Sequence, residues 1–198
     1  MPENLSNWGA FVAAEPELAQ TVEARFGAFT HHTLATLRRD GSPRTTGLEV
    51  RFVNGELWLG MMSGSLKALD LRRDPRFSLQ ANPGPGTEMG GGDVRVSGRA
   101  VEVDDPAVKA AYGADGEASS QGSGEANSQA SGQGSGEEGA KDTAAEKSGD
   151  GEEVEPPEPF HLFRTELTEV VRTYVEDDKY LVVQVWKPGE PMRTLKRT

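Results

Sequence analysis

Apolar and polar residues alternate with a period of two along much of this chain, which is the pattern of strands with one buried face. The runs "HHTLATL" (31–37), "RTTGLEVRFV" (44–53) and "ELWLGMM" (56–62) come first. "RFSLQA" (76–81) and "DVRVSGRAVEV" (93–103) follow. From residue 160, "FHLFRTELTEVVRTYVEDDKYLVVQVW" is long enough for two strands turning around Glu176 to Lys179. "RRDGSP" supplies a turn between the first two runs, and Asn54 followed by Gly55 is the strongest short hairpin signal. "NPGPGTEMGGG" (82–92) predicts a long loop.

Three stretches carry a helical pattern instead. Leu18, Val22 and Phe26 recur every four residues, with Pro16 at a first-turn position, so one face of a helix is apolar. A short helix is predicted over 64–73 and stops at Asp74, because a residue before proline avoids the α region. "DPAVKAAY" (105–112) reads as another short helix. Six or seven short antiparallel strands with few helices predict a mainly β fold, a small β-barrel that closes on itself to hide its edges.

One segment breaks the pattern. Residues 113–159 contain no aromatic residue, and Val154 is their only large aliphatic. Such a stretch buries too little apolar surface to offset its ordering entropy, so it is expected to be disordered. Loop closure entropy grows slowly with length, so an insertion here is tolerated. Residues 1–112 and 160–198 are therefore expected to form a single domain, split by an acidic Gly/Ser/Glu-rich insertion.

That insertion also explains the charge. The 198-residue chain has a formal net charge of −11. Residues 113–159 hold 12 acids against 2 lysines, and the remainder has 20 acids against 19 bases. The near-neutral body gives no basic surface for nucleic acid or an anionic membrane. No apolar run approaches the ~20 residues that span a bilayer, and the first ten residues do not read as a secretory signal. With no cysteine, disulfides and thiolate metal sites are excluded. A cytoplasmic protein is expected.

The most informative local feature is Lys67. It lies in the first turn of its helix, where the backbone dipole already favours anions and lysine is out of place. Ser63, Gly64, Ser65 and Lys67 together offer hydroxyls, free N–H groups and an ammonium, which make a cradle for a phosphate. The plain alternative is that a serine caps the helix and Lys67 points into water. Arg72 and Arg73, in the last turn, favour the dipole and need no further role.

Arg44, with Thr45 and Thr46, opens a strand expected to pair with 31–37 on one side and 56–62 on the other. It could reach a phosphate bidentately, or be a solvated strand end. His31 and His32 are adjacent, so on a strand they face opposite ways and cannot chelate together. No carboxylate sits at ligand spacing to them or to His161, and no metal site is expected. No nucleophile–base arrangement stands out either.

In this order of elements, "HHTLATLRRDGSPRTTGLEVRFVNGELWLGMMSGSLKALDLRRDPRFSLQ" resembles the pyridoxamine 5'-phosphate oxidase-like family of split β-barrel flavoproteins, and the likeness continues more loosely through 93–103 and from residue 160. The resemblance implies that Arg44, Thr45 and Thr46 give the strand whose backbone contacts the flavin ring. It places Gly60 and Met61 beside the ring and Ser65 and Lys67 at the FMN phosphate; Ser63, from the local reading of the same turn, is a further candidate ligand of the cofactor. It also implies a homodimer with cofactor sites between subunits, acting on a small-molecule substrate. The chain departs from the pattern in three places. Leu66 stands where the family has an arginine, Asp93 where it often has a glutamine, and the arginine-rich C-terminal substrate motif with its histidine is absent. Oxidation of vitamin B6 is therefore not expected. Three functions remain open: an FMN-dependent oxidoreductase passing hydride to or from a small substrate, a deazaflavin-dependent reductase on the same fold, and a non-catalytic flavin- or haem-binding module.

Overall fold

The computed structural model describes residues 4–84, 92–121 and 160–198, with only the backbone for 115–121. Most of the loop expected at 82–92 and the part of the expected insertion at 122–159 lie outside the described residues.

Two helices open the chain. α1 (Trp8–Ala14) starts where the Asn7 side chain accepts a hydrogen bond from the Ala10 N–H. The spacing of apolar residues over 8–14 does not predict this helix. α2 (Pro16–Gly27) begins with Pro16, whose missing N–H costs nothing in a first turn. Leu18, Val22 and Phe26 are buried, as their spacing predicts.

Nine strands among the described residues form one antiparallel sheet. They are β1 (His32–Leu37), β2 (Pro43–Leu48), β3 (Val50–Val53), β4 (Glu56–Met62), β5 (Arg76–Gln80), β6 (Asp93–Glu102), β7 (Phe160–Glu176), β8 (Tyr180–Trp186) and β9 (Arg193–Arg197). α3 (Leu66–Arg73) joins β4 to β5, and α4 (Pro106–Gln121) follows β6. The expected helix at 105–112 thus continues past Gly113 into the segment expected to be an insertion.

The pairing order is β2-β1-β5-β6-β7-β4-β3, with β8 and β9 added beside β7. β2 begins that path and β3 ends it, yet only Glu49 separates them in the chain. The sheet therefore curls round until its two ends meet at one residue, which makes the mainly β barrel that the alternation predicts, with the split form that the family resemblance implies. The run 44–53 does pair on both sides, but by dividing: β2 pairs with β1, and β3 pairs with β4. That division, with the short exposed β9, accounts for nine strands where six or seven were expected.

Two tight features fix the register. Val53 pairs with Glu56, and Asn54 and Gly55 between them both have positive φ, the geometry of a two-residue hairpin turn. β6 shifts register against β7 between Ser97 and Gly98, where a Cβ on Gly98 would lie 2.1 Å from the Glu166 carbonyl oxygen. The core packs Trp8 and Phe11 of α1 and Val22 of α2 against Leu34, Leu59, Leu79, Val94, Phe163 and Leu167 from the strands. Each fully buried apolar side chain of this size stabilises by roughly 1.5–3 kcal/mol.

Candidate functional site

An open cleft of about 940 Å³ lies against the join of β2 and β3. Its walls are the β2–β3 join (Gly47, Leu48, Glu49), Arg51 of β3, the end of β4 (Gly60, Met61, Met62) and Ser63 and Lys67 at the approach to α3. Tyr112 of α4, Phe160 of β7 and His31 complete it. Elements distant in sequence converge here because β4 is hydrogen-bonded to both β3 and β7.

Lys67 does not point into water. Its Nζ donates to the Gly47 carbonyl at 2.6 Å, across the cleft from its own helix. Burial lowers its pKa below the ordinary lysine value of 10.5. Among the described residues no carboxylate lies within ion-pair distance of it. A half-buried ammonium held by one carbonyl is a cation short of an anion.

Ser65 follows the plain alternative: its hydroxyl oxygen caps α3, accepting from the Ala68 N–H. The Gly64 N–H donates to His161 Nε2 at 3.3 Å, and the Ser65 N–H to the Met62 carbonyl. The N–H groups of Leu66 and Lys67 are left at the helix start with no partner among the described residues.

His161 is part of a chain of contacts behind this turn. Because Nε2 accepts from Gly64, the ring proton is on Nδ1, which donates to Glu102 Oε1 at 2.8 Å. Arg72 grips the same carboxylate with Nε and Nη2 at 2.6 and 2.8 Å. The Arg72 hydrogen bond, foremost, holds the Glu102 carboxyl below its usual range, with help from His161. Arg72 therefore has a role beyond the helix dipole, and so does Arg73, which pairs with Asp70 at 3.2 Å.

Arg44 is neither a solvated strand end nor a wall of the cleft. Its Nε donates to Asp70 Oδ2 at 2.6 Å, and Asp70 is buried. Thr36 donates to the same oxygen at 3.0 Å. Burial alone would raise the Asp70 pKa, but the donors from Arg44, Thr36 and Arg73 outweigh it and hold the carboxyl below its ordinary value. This pin fixes α3 to β1 and β2, and so fixes where Lys67 stands. Thr45 lies on the exposed face of β2, while Thr46 turns inward, its Oγ1 buried with no hydrogen-bond partner. The candidates Gly60, Met61, Ser63 and Lys67 line the cleft; Arg44, Thr45, Thr46 and Ser65 are not among its lining residues.

The histidines separate in space. His32 is buried, its Nδ1 accepting from the Asn82 N–H, and desolvation lowers its pKa. His31 is exposed, 3.5 Å from Glu49. Among the described residues no three metal-ligating side chains gather, and no helix is long and apolar enough to cross a membrane. Sequence reasoning missed Arg51, Tyr112 and Phe160. The Arg51 guanidinium lies 4.7 Å from the Tyr112 ring centre, and the Tyr112 and Phe160 rings are 5.9 Å apart. These residues come from β3, α4 and β7, so no local pattern announces them.

Comparison with known proteins agrees with this architecture. No curated protein sequence matches the chain. PhzG from Burkholderia lata 383, solved in complex with tetrahydrophenazine-1-carboxylic acid, has a TM-score of 0.55 at 16% identity, covering 96% of this chain and 93% of that one. A pyridoxamine 5'-phosphate oxidase-related, FMN binding protein from Nostoc punctiforme PCC 73102 has a TM-score of 0.52 at 14% identity, over 92% of this chain and 96% of that one. A heme binding protein from Mycobacterium smegmatis gives 0.46 at 16% identity, over 88% and 57%. The pyridoxamine 5'-phosphate oxidase family model matches residues 18–170, a span that runs from α2 through α3 and the cleft into β7. With most of its length matched in this way, the chain belongs to the pyridoxamine 5'-phosphate oxidase family.

Proposed function

We propose that the chain binds FMN in the split-barrel cleft and works as an FMN-dependent oxidoreductase on a small substrate. The observation that carries this reading is Lys67, a partly buried ammonium whose one partner among the described residues is the Gly47 carbonyl. A phosphate supplies the missing anion. Ser63 lines the same end, and the N–H groups of Leu66 and Lys67 at the start of α3 add donors where the helix dipole favours negative charge.

The rest of the cleft suits a planar ring. Gly60 and Met61 form its floor on β4. β2 has β1 as its one strand partner among the described residues, so alternate N–H groups near Thr45 and Thr46 face outward as donors to a ring edge. Bound FMN supplies two-electron hydride chemistry; the chain's residues bind it, orient it and set its hydrogen bonds. Family membership and the FMN-binding relative support the same cofactor. Met62 at the cleft, and Leu66 and Leu69 on α3, are exposed by 81%, 60% and 46%, apolar surface that suits burial against a second copy of the chain in a homodimer.

The test is an absorption spectrum of the purified protein, with apo samples titrated with FMN and with a deazaflavin. A flavin band that survives desalting, and does not survive it in Lys67→Ala, supports the reading. Binding of the deazaflavin alone makes the chain a deazaflavin-dependent reductase. A bound flavin that no reductant or small substrate bleaches makes it a carrier or sensor. Binding of neither overturns the reading. Light scattering of the eluted species decides the dimer.

A further inference from the structure

We propose that Tyr112 is a removable plug in the cleft: seated on Gly60, it must leave before a planar ring can lie along β4, so α4 gates the site. The inference rests on the flavin reading above and adds a gate to it.

The contact is close. A Cβ built on Gly60 would lie 2.5 Å from the Tyr112 hydroxyl oxygen and 3.1 Å from its Cζ. The phenol tip thus occupies the space that the missing side chain leaves open over the strand. The ring itself is engaged, by the Arg51 guanidinium 4.7 Å from its centre and by Phe160 beside it. While seated, the Tyr112 phenol covers β4 at Gly60 and narrows the cleft along that strand.

The plug is also cheap to withdraw. Among the described residues its hydroxyl makes no hydrogen bond, so no bond to them is broken when it leaves. Burial raises the Tyr112 pKa, so the hydroxyl leaves as a neutral group. Among the described residues the helix has few polar ties to the barrel: Arg51 Nη1 donates to the Tyr112 carbonyl at 3.1 Å, and Lys109 lies 5.7 Å from the Phe160 ring centre. Just before the helix, the Val103 N–H bonds to the Leu162 carbonyl at 2.8 Å, and Asp105 caps the first turn through Ala107. A rigid anchor at Val103 followed by a self-capped helix is a hinge point.

The test titrates the full-length apo chain with FMN, following flavin fluorescence, in wild type and Tyr112→Ala. If the seated state is about 90% populated, removing it tightens apparent affinity about tenfold. Hydrogen exchange at residues 106–114 is measured alongside, and it should rise when FMN is added to wild type. Gly60→Ala, whose new methyl group collides with the phenol, should raise the same exchange with no ligand present. Equal or weaker FMN binding by Tyr112→Ala, or unchanged exchange in Gly60→Ala, overturns the plug and leaves the flavin reading standing. FMN binding by neither wild type nor Tyr112→Ala brings down the flavin reading and the plug with it.

Discussion

The Lys67 ammonium donates to the Gly47 carbonyl at 2.6 Å, joining the first turn of α3 to the last residues of β2 across the cleft. The bond holds the side chain over the cleft, where an incoming phosphate meets a charge already in place. Replacing Lys67 with alanine removes a hydrogen bond to a charged group, about 1.5–3 kcal/mol, which is roughly 10- to 150-fold in the Kd for FMN. The melting temperature should change little, since the lysine's one partner among the described residues is a neutral carbonyl. The pH dependence has a definite sign. Burial lowers the Lys67 pKa, and the ammonium is the anion-binding form. FMN affinity should therefore fall as pH rises through that lowered value, at a pH below that expected for an exposed lysine, and this limb should be missing in Lys67→Ala.

His161 acts one step further back. It accepts the Gly64 N–H and is itself held by Glu102, so it sets the position of the turn that carries Ser63 and leads to Lys67. His161→Phe keeps the ring's bulk but leaves that N–H without a partner. A lost hydrogen bond of about 0.5–1.5 kcal/mol predicts FMN binding weaker by roughly 2- to 10-fold. Glutamine in the same place, whose side-chain oxygen can accept the N–H, should recover part of the loss. Equal Kd values for the wild type, His161→Phe and His161→Gln would show that the turn holds its shape without this contact.

How much of this was legible beforehand follows from the range of each interaction. Alternation is a local signal, and it located the strands and the turns at Asn54 and at Asp177, whose φ values are positive. The break at Glu49 is not local: Leu48, Val50 and Phe52 alternate with Glu49 and Arg51 straight across it, and the division between β2 and β3 is imposed by closing the barrel. β9 is exposed throughout and so has no buried face to betray it. Lys67 was visible because it violates the dipole preference of its own helix. The partners that decide the roles of Arg44 and Gly60 are Asp70 and Tyr112, and neither lies within a turn or a helix repeat of them.

Asp70 should be the most sensitive polar position in the fold. It is buried, and Arg44, Arg73 and Thr36 all donate to it. Asp70→Ala strands the buried Thr36 hydroxyl and the half-buried Arg44 guanidinium and should cost about 3 kcal/mol, read as a lower urea midpoint with unchanged m. The acid limb has the usual carboxylate sign. The folded Asp70 pKa lies below its ordinary value, so its stabilisation is complete above roughly pH 4, the unfolded value, and is lost as pH falls through the folded one. Asp74, held at about 2 chiefly by the Arg76 side chain, acts in the same direction. Stability should therefore decline from about pH 4 towards pH 2, and less steeply in Asp70→Asn. An identical acid limb in wild type and Asp70→Asn would remove Asp70 from that account.

The path of α4 sets where the acidic segment can be cut. The helix continues past Tyr112 to Gln121, so a deletion beginning at Gly113 removes backbone that supports the Tyr112 turn. Replacing residues 122–159 with a short Gly-Ser linker removes no aromatic residue and one large aliphatic, Val154. Each halving of a flexible loop changes closure by only about 0.6 kcal/mol. The melting temperature and FMN affinity of that variant should stay close to wild type. Deleting 113–159 instead should loosen the seat on Gly60 and tighten FMN binding, as Tyr112→Ala does. Collapse of the fold in the 122–159 variant would show that the segment contributes to the barrel, contrary to what its composition implies. Equal FMN affinity in the two deletions would place the support for Tyr112 in residues 106–112, with Arg51 as its anchor.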